Sequence, residues 1–330
     1  MLSFLATSLQ QSLGILQKQD IQTASQSLGG FGIGQIGAAS EVLLGDDCAA
    51  IPERDGYLLF AAEGMLPQLV ETDPWFAGWS AVMVNVSDIY AMGGRPIAIV
   101  DALWSQSIQE TVPLWEGMRA AASAYNVPIV GGHTNCHSPY NALSVSILGR
   151  ATRLITSFNA RPGDQLLVAI DFRGKLHPDY PFWNAATTAD PVQLRQNLAI
   201  LPDLAEAGLC DAGKDISAGG IVGTLLMLLE TSGCGAVLEL DRIPCPPEVM
   251  LDRWLISFPS YGFLLSVRPE QVSTVQACFR QQALICEVVG TVQYAPKLIL
   301  KSQEESIEFW DLSQQPLTGF ARKQHDIKLA

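Results

Sequence analysis

Two adjacent carboxylates, Asp46 and Asp47, stand in the segment GDDCAAI at 45–51, between apolar stretches that read as strands. Successive side chains of an extended chain point to opposite faces, so one acid of such a pair has to be buried, and then paired. A hard cation such as magnesium offers that pairing, because it takes carboxylate oxygens and keeps positions open for phosphate. The same pair after a glycine also suits an exposed turn. Asp88, in NVSDIYAMGG at 85–94, lies in a helix whose neighbours are almost all apolar. An acid there needs a partner unless it faces water, and few basic residues lie nearby in sequence. Asn85 is one turn earlier on the same face and can assist at the same site. Asp215 opens DISAGGIVGTLLMLLE, where Ser217 and glycines lead into an apolar helix. That place suits an anion held by helix amides, a metal held by the acid, or a plain helix cap.

Gly131-Gly132-His133-Thr134-Asn135 follows a buried strand, and its glycines permit close backbone approach to a ligand. His133 can act there as acid, base or phosphate ligand, or serve as a structural histidine. His133, Cys136 and His137 resemble a soft-metal cluster, but no further ligands follow at the proper spacing for zinc. The glycine-rich run at 28–39, with Gly30, Gly32 and Gly34, can drape over phosphates or act as a linker. It matches neither the P-loop nor the dinucleotide fingerprint.

These residues need a folded frame, and the composition supplies one. The chain has 330 residues, 48% hydrophobic and 16% charged, enough for two domains with large cores. The net charge is −13, and the basic side chains of the first 150 residues are Lys18, Arg54, Arg95, Arg119 and Arg150. Such a surface repels nucleic-acid phosphate, so no nucleic-acid partner is expected. Seven cysteines, none in a CxxC spacing, point to reduced thiols and a cytoplasmic location. Neither a signal peptide nor a membrane span is expected.

Leucines 2, 5, 9, 13 and 16 mark an amphipathic N-terminal helix. Strands are expected at 41–44, 57–62, 96–104, 127–130, 142–148, 165–170, 262–267 and 287–292. Helices are expected over about 74–92, 108–125, 192–207, 219–232 and 269–282. Pro52 and Gly56 read as turn markers, 171–190 as a loop, and the residues from 303 as a polar tail. Strands and helices alternate in both halves, which indicates an α+β or α/β protein. The domain organisation read from this is an N-terminal helix (1–27), a first domain (28–155), a second (156–302) and a C-terminal tail (303–330).

Taken in order, GDDCAAI at 45–51, NVSDIYAMGGRP at 85–96, GGHTN at 131–135, RPGD at 161–164 and DISAGGIVG at 215–223 resemble one superfamily. It comprises aminoimidazole ribonucleotide (AIR) synthetase, thiamine-monophosphate kinase, selenophosphate synthetase and the hydrogenase maturation factor HypE. The resemblance implies a two-domain AIR synthetase-like fold, with an N-terminal domain that forms a β-barrel across a homodimer and a C-terminal α/β domain. It implies ATP in a cleft beneath the glycine-rich segment, held by Mg2+ on Asp46 or Asp47, Asp88 and Asp215. Glu63, in FAAEGM, stands where relatives usually carry an aspartate. The glycine-rich segment lacks the cysteine and lysine of selenophosphate synthetase. GGHT replaces the GGDT, and DISAG the DISDG, of thiamine-monophosphate kinase, and the GGET of the purine enzyme is missing too. The chain therefore resembles an AIR synthase-related branch. The activity implied is Mg-dependent phosphate transfer to, or phosphate activation of, a small molecule. The alternatives are a non-catalytic nucleotide-binding accessory or maturation protein and a kinase-like or selenophosphate synthetase-like activity. The aromatic side chains Trp75, Trp79, Trp104 and Tyr180-Pro181-Phe182-Trp183 suit either core packing or an acceptor pocket.

Overall fold

The computed structural model describes residues 2–27, 34–35 and 41–320. Gly30 and Gly32 lie outside them. From the N-terminus run α1 (Leu2–Gln10), α2 (Leu13–Ser27) and the paired short strands β1 (Gly34–Gln35) and β2 (Glu41–Val42). There follow β3 (Ala49–Glu53), β4 (Gly56–Gly64), α3 (Pro67–Thr72), α4 (Pro74–Ala91), β5 (Arg95–Trp104), α5 (Ile108–Tyr125), β6 (Ile129–Asn135) and β7 (Ala142–Ala151). The later chain forms β8 (Gln165–Ile170), β9 (Lys175–Leu176), β10 (Phe182–Asn184), α6 (Pro191–Glu206), β11 (Ala212–Asp215), α7 (Gly220–Ser232) and β12 (Gly235–Glu239). Then come α8 (Leu251–Leu255), β13 (Phe258–Pro259), β14 (Gly262–Val267), α9 (Val272–Gln281), β15 (Ile285–Gln293), β16 (Lys297–Ser302) and β17 (Glu305–Asp311).

The chain divides into two compact units. The smaller comprises Asp47–Leu154 and Ala186–Glu206; the larger comprises the described residues of Met1–Asp46, Ile155–Ala185 and Ala207–Ala330. In the larger unit a seven-stranded sheet runs β11-β14-β8-β15-β12-β16-β17, and a small sheet runs β13-β10-β9. The sequences QLLVAI of β8 and GFLLSV of β14 are apolar almost throughout because these strands sit inside the sheet, buried along nearly their whole length. Leu2, Ala6, Leu9 and Ile15 of the N-terminal helices enter the same core as α7 and these strands. The polar segment after 303 is ordered as β17, whose edge position lets its outer side chains face water. The stretch 171–190, read as a loop, contributes β9 and β10.

The smaller unit is one five-stranded sheet, β3-β4-β7-β5-β6, antiparallel except between β5 and β6. The sheet is open; no closed barrel forms among the described residues. Pro52 lies within β3 and not in a turn. The place is tolerable because β3 is an edge strand, where one missing N–H costs no ladder bond. The turn falls instead at Arg54-Asp55, with Arg54 in the left-handed region at φ 49°. GGHTN is likewise strand, the end of β6, and every residue of β6 is exposed.

Leu59, Ala61, Ile99, Leu103, Val145 and Ile147 form the buried face of this sheet. Helix α4 packs against β4, β5 and β7 and is itself covered by α3, α5 and α6. That enclosure is why PWFAGWSAVMVNVSDIYA is apolar on all sides and fixes Asp88 in a buried setting. Asp73 caps α4 by accepting from Phe76 N at 3.2 Å, and Ser107 caps α5 by accepting from Glu110 N at 3.3 Å. α6, distant in sequence, joins this unit through Arg195 Nη1, which donates to Ala124 O at 2.7 Å. Arg95 reinforces it from β5 with bonds to Asp203 and Glu206.

The α4–α5 crossing depends on two glycines that let the backbones touch. A Cβ at Gly78 would lie 2.1 Å from Leu114 O, and one at Gly117 would lie 2.0 Å from Trp75 O. Neither obstacle is a side chain that can turn away. Gly117→Ala should therefore force the helices apart and destabilise the protein by about 1–3 kcal/mol. Urea unfolding checks this, and an unchanged midpoint would refute the close crossing.

Candidate functional site

In the smaller unit, Asp47 precedes the edge strand β3 and Asp88 lies in α4. Their carboxylate oxygens come within 4.8 Å of each other, with Asp88 only 6% exposed. Two anions at that separation repel unless a cation bridges them or a proton is shared. On the same helix, one turn before Asp88, Asn85 is fully buried; its Nδ2 donates to Ala81 O at 2.8 Å, and its Oδ1 has no hydrogen-bond partner. A buried amide oxygen left this way is an oxygen ligand in waiting. Paired acids with a nearby amide oxygen suit a hard divalent cation, and on this ground the residues fit magnesium.

Glu63 is exposed on β4, and its main-chain carbonyl accepts from Ser144 Oγ at 2.9 Å. By register Glu63 and Asp101 both lie opposite Val145, on the sheet face that α4 covers. Asp101 was not singled out from the sequence. Its Oδ2 is buried without a hydrogen-bond partner, and desolvation raises its carboxyl above the usual range. The available signal was an acid inside the apolar strand IAIVDALW. Asp101 also explains a glycine: a Cβ at Gly132 would lie 2.3 Å from Asp101 Oδ1. His133 is exposed on β6, its ring 5.7 Å from that of Trp104, beside the equally exposed Gly131 and Thr134. Among the described residues, His133, Cys136 and His137 do not gather into a metal-binding group. Trp75 and Trp79 stack on each other at 5.6 Å, and Trp79 packs toward Tyr125.

In the larger unit, Asp46 is nearly enclosed. Its carboxylate lies 3.5 Å from Lys214 Nζ, itself 3% exposed, and accepts from Ser157 N at 2.9 Å. The adjacent acids thus have different surroundings, Asp46 facing a lysine and Asp47 facing another acid. Asp215 is buried at the end of β11, opposite Phe263 of β14. It does not cap α7, because Gly219 holds the cap position in the left-handed region at φ 93°. Lys18 of α2 reaches the intervening loop and donates to Ser217 Oγ at 3.2 Å. Gly34 pairs with Val42 across β1 and β2. The RPGD motif is architectural: Asp164 accepts from Arg161 N, Ser266 Oγ and Arg268. Of the aromatic run, Trp183 is buried and donates to Asp171 O at 2.8 Å, while Tyr180 and Phe182 stack at 5.5 Å. Among the described residues no helix is long and apolar enough to cross a membrane.

Known proteins resemble this chain in sequence or in fold. The uncharacterized protein sll0787 of Synechocystis sp. is 59% identical over 97% of this chain and 99% of its own length. The uncharacterized protein MJ0640 of Methanocaldococcus jannaschii is 33% identical over 74% of this chain and 76% of its own. The fold matches Thermotoga maritima PurL complexed with ADP with a TM-score of 0.73 at 20% identity, over 93% of this chain. This chain spans only 52% of that PurL chain. It matches AaThiL complexed with AMPPCP and TMP with a TM-score of 0.65 at 20% identity, over 88% of this chain and 96% of that one. Residues 45–151 match the N-terminal domain of the AIR synthase related protein family, and residues 169–302 match its C-terminal domain. With both domains matched in order across most of its length, the chain belongs to the AIR synthase-related protein family.

Proposed function

We propose that this protein binds ATP as a magnesium complex and transfers phosphate to a small molecule, or activates one by phosphorylation. The observation that carries the reading is the approach of Asp47 and Asp88 within 4.8 Å, one of them buried. Fold relatives named in complex with ADP, AMPPCP and ATP support the choice of nucleotide. Asp47, Asp88 and Asp215 hold the metal in this proposal, with Asn85 Oδ1 and Glu63 available to it. Asp46 serves the same site indirectly, through its ion pair with Lys214. When bound, magnesium neutralises charge on the phosphates and fixes their geometry, which is most of what phosphoryl transfer requires. The chain's own part is to hold the acids close together and to present backbone amides from Gly30, Gly32, Gly34, Gly131, Gly132 and Thr134. His133 stands exposed on β6 between Gly132 and Thr134 as the candidate group for proton movement on the acceptor. The acceptor itself is a small molecule, and turnover distinguishes this enzyme from a nucleotide-binding accessory protein.

The same reading includes a homodimer. Phe60, Ile97, Val100 and Val130 are 50%, 44%, 41% and 63% exposed on the smaller unit's sheet. An apolar surface of that kind on an open sheet calls for a cover, and a second copy completing the sheet is the economical one.

Two measurements test these statements. Asp88→Asn should lower affinity for Mg·AMPPCP at least tenfold in calorimetric titration while the unfolding midpoint of the unliganded protein holds. Retained affinity would contradict the assignment. With wild type, magnesium and nucleotide at a hundred times Kd should add about 2.7 kcal/mol of stability, and ADP release across a panel of small acceptors separates enzyme from accessory. Val100→Asp should shift the dimer toward monomer in light scattering; a wild-type monomer would count against the pairing.

A further inference from the structure

The C-terminal segment Pro316–Phe320 is bound to its own unit far more tightly than a surface loop requires. Glu230, in α7, is 2% exposed. Its carboxylate accepts from Leu317 N at 2.9 Å, Thr318 N at 2.8 Å, Gly319 N at 3.2 Å and Thr318 Oγ at 2.5 Å. Three successive amides and a hydroxyl thus form a nest around one buried anion. From the other side, Gln22 Nε2 of α2 donates to Pro316 O at 2.7 Å and Leu317 O at 2.8 Å.

What this segment covers gives it a role. Gly45 holds φ +108°, and a Cβ there would lie 2.8 Å from Phe320 Cβ and 3.1 Å from Thr231 Cγ2. The strap and α7 therefore close directly over the residue that precedes Asp46 and Asp47. Beneath it the contacts continue. Asp46 accepts from Ser157 N at 2.9 Å, and the Ser157 carbonyl accepts from Thr231 Oγ1 at 2.9 Å and Ser232 Oγ at 2.6 Å. Glu230, Thr231 and Ser232 are consecutive, so one end of α7 grips both the strap and the strand of chain that holds Asp46.

We propose that Pro316–Phe320 is a strap that positions the Gly45–Asp47 turn, with Glu230 as its clasp. The metal part of this inference rests on Asp47 being a ligand of the magnesium site proposed above. Glu230 is a positioning residue, acting through the strap and Gly45. Losing the strap leaves Asp46 with Lys214 but frees the turn to move, so Asp47 spends less time where a cation needs it.

Two variants test this without removing the buried carboxylate: Phe320→Ala, which opens the contact over Gly45, and a chain ending at Pro316. The first readout needs no metal. Amide exchange followed by mass spectrometry in the unliganded protein should show the segment containing Ser157 exchanging at least fivefold faster in both variants. The β4 and β8 segments should exchange at wild-type rates. The second readout is Mn2+ binding in the presence of AMPPCP, expected to weaken about tenfold, with the thermal midpoint of the Phe320→Ala protein within a few degrees of wild type. Conservative Phe320→Leu should restore most of the affinity. Unchanged exchange at Ser157 in both variants overturns the strap. Faster exchange with unaltered Mn2+ affinity overturns its role at the site. If wild type binds no Mn2+ with nucleotide, the magnesium reading falls, and exchange at Ser157 alone decides whether the strap holds the turn.

Discussion

A carboxylate inside an apolar protein must be met by an opposite charge or by donated hydrogen bonds, and much of this fold is arranged around that demand. Glu230 is met by three amides and a hydroxyl, Asp164 by Arg268 and a serine, Asp171 by a bidentate Arg173, and Asp46 by Lys214 and an amide. Each of these solutions is internal to one unit. Those at Glu230, Asp164 and Asp46 also draw together chain segments scores of residues apart, whereas Asp171 and Arg173 are close neighbours in sequence. Asp47 and Asp88 answer to a different arrangement, with acid set against acid. That juxtaposition is the feature a divalent cation would match. Asp88 is kept in place by α4, whose position is set by packing on every side and not by the acids themselves.

The elements that hold these groups were legible where local signals were strong. Asp73-Pro74 before an apolar run and Gly93-Gly94 after it bracket α4, and Ser107 and Asn126 bracket α5, because caps and left-handed residues leave marks in sequence. The strands of longest apolar run, β5, β8 and β14, were legible for the same reason. What escaped was decided by position in a sheet. Pro52 reads as a turn until β3 is known to be an edge, and GGHTN reads as a loop until its register against Val100–Trp104 is seen. The polar β17 becomes a strand only because β16 offers it an edge.

Site residues divide along the same line. Asp88 announced itself as an acid in an apolar helix, and Asp47 as half of a pair. Which member of that pair faces a lysine cannot be read from adjacency, since Lys214 lies 168 positions from Asp46 by their own numbering. The allocation of α6 to the smaller unit is equally invisible locally, because it rests on Arg195 reaching Ala124 O and on Arg95 reaching Asp203 and Glu206. RPGD carried a family signal whose physical content in the fold is a corner tied by Asp164.

GGHTN shows how a motif and its neighbour have to be considered together. A histidine at 133 replaces the acid that the thiamine-kinase pattern carries there, and the strand loses a carboxylate. Asp101 of the adjacent β5 stands opposite residue 132 and not 133, with its Oδ1 where a side chain on residue 132 would otherwise be. Position 132 must then be glycine for reasons of space, whatever ligand approaches it. Desolvation holds the Asp101 carboxyl above its usual range, so this acid surrenders its proton less readily than an exposed aspartate. Pleating puts the exposed His133 ring, beside Trp104, on the sheet face opposite to Asp101. The local difference in sequence therefore marks a difference in the group that β6 exposes at 133, while the Asp47–Asp88 pair, built from separate elements, is untouched by it.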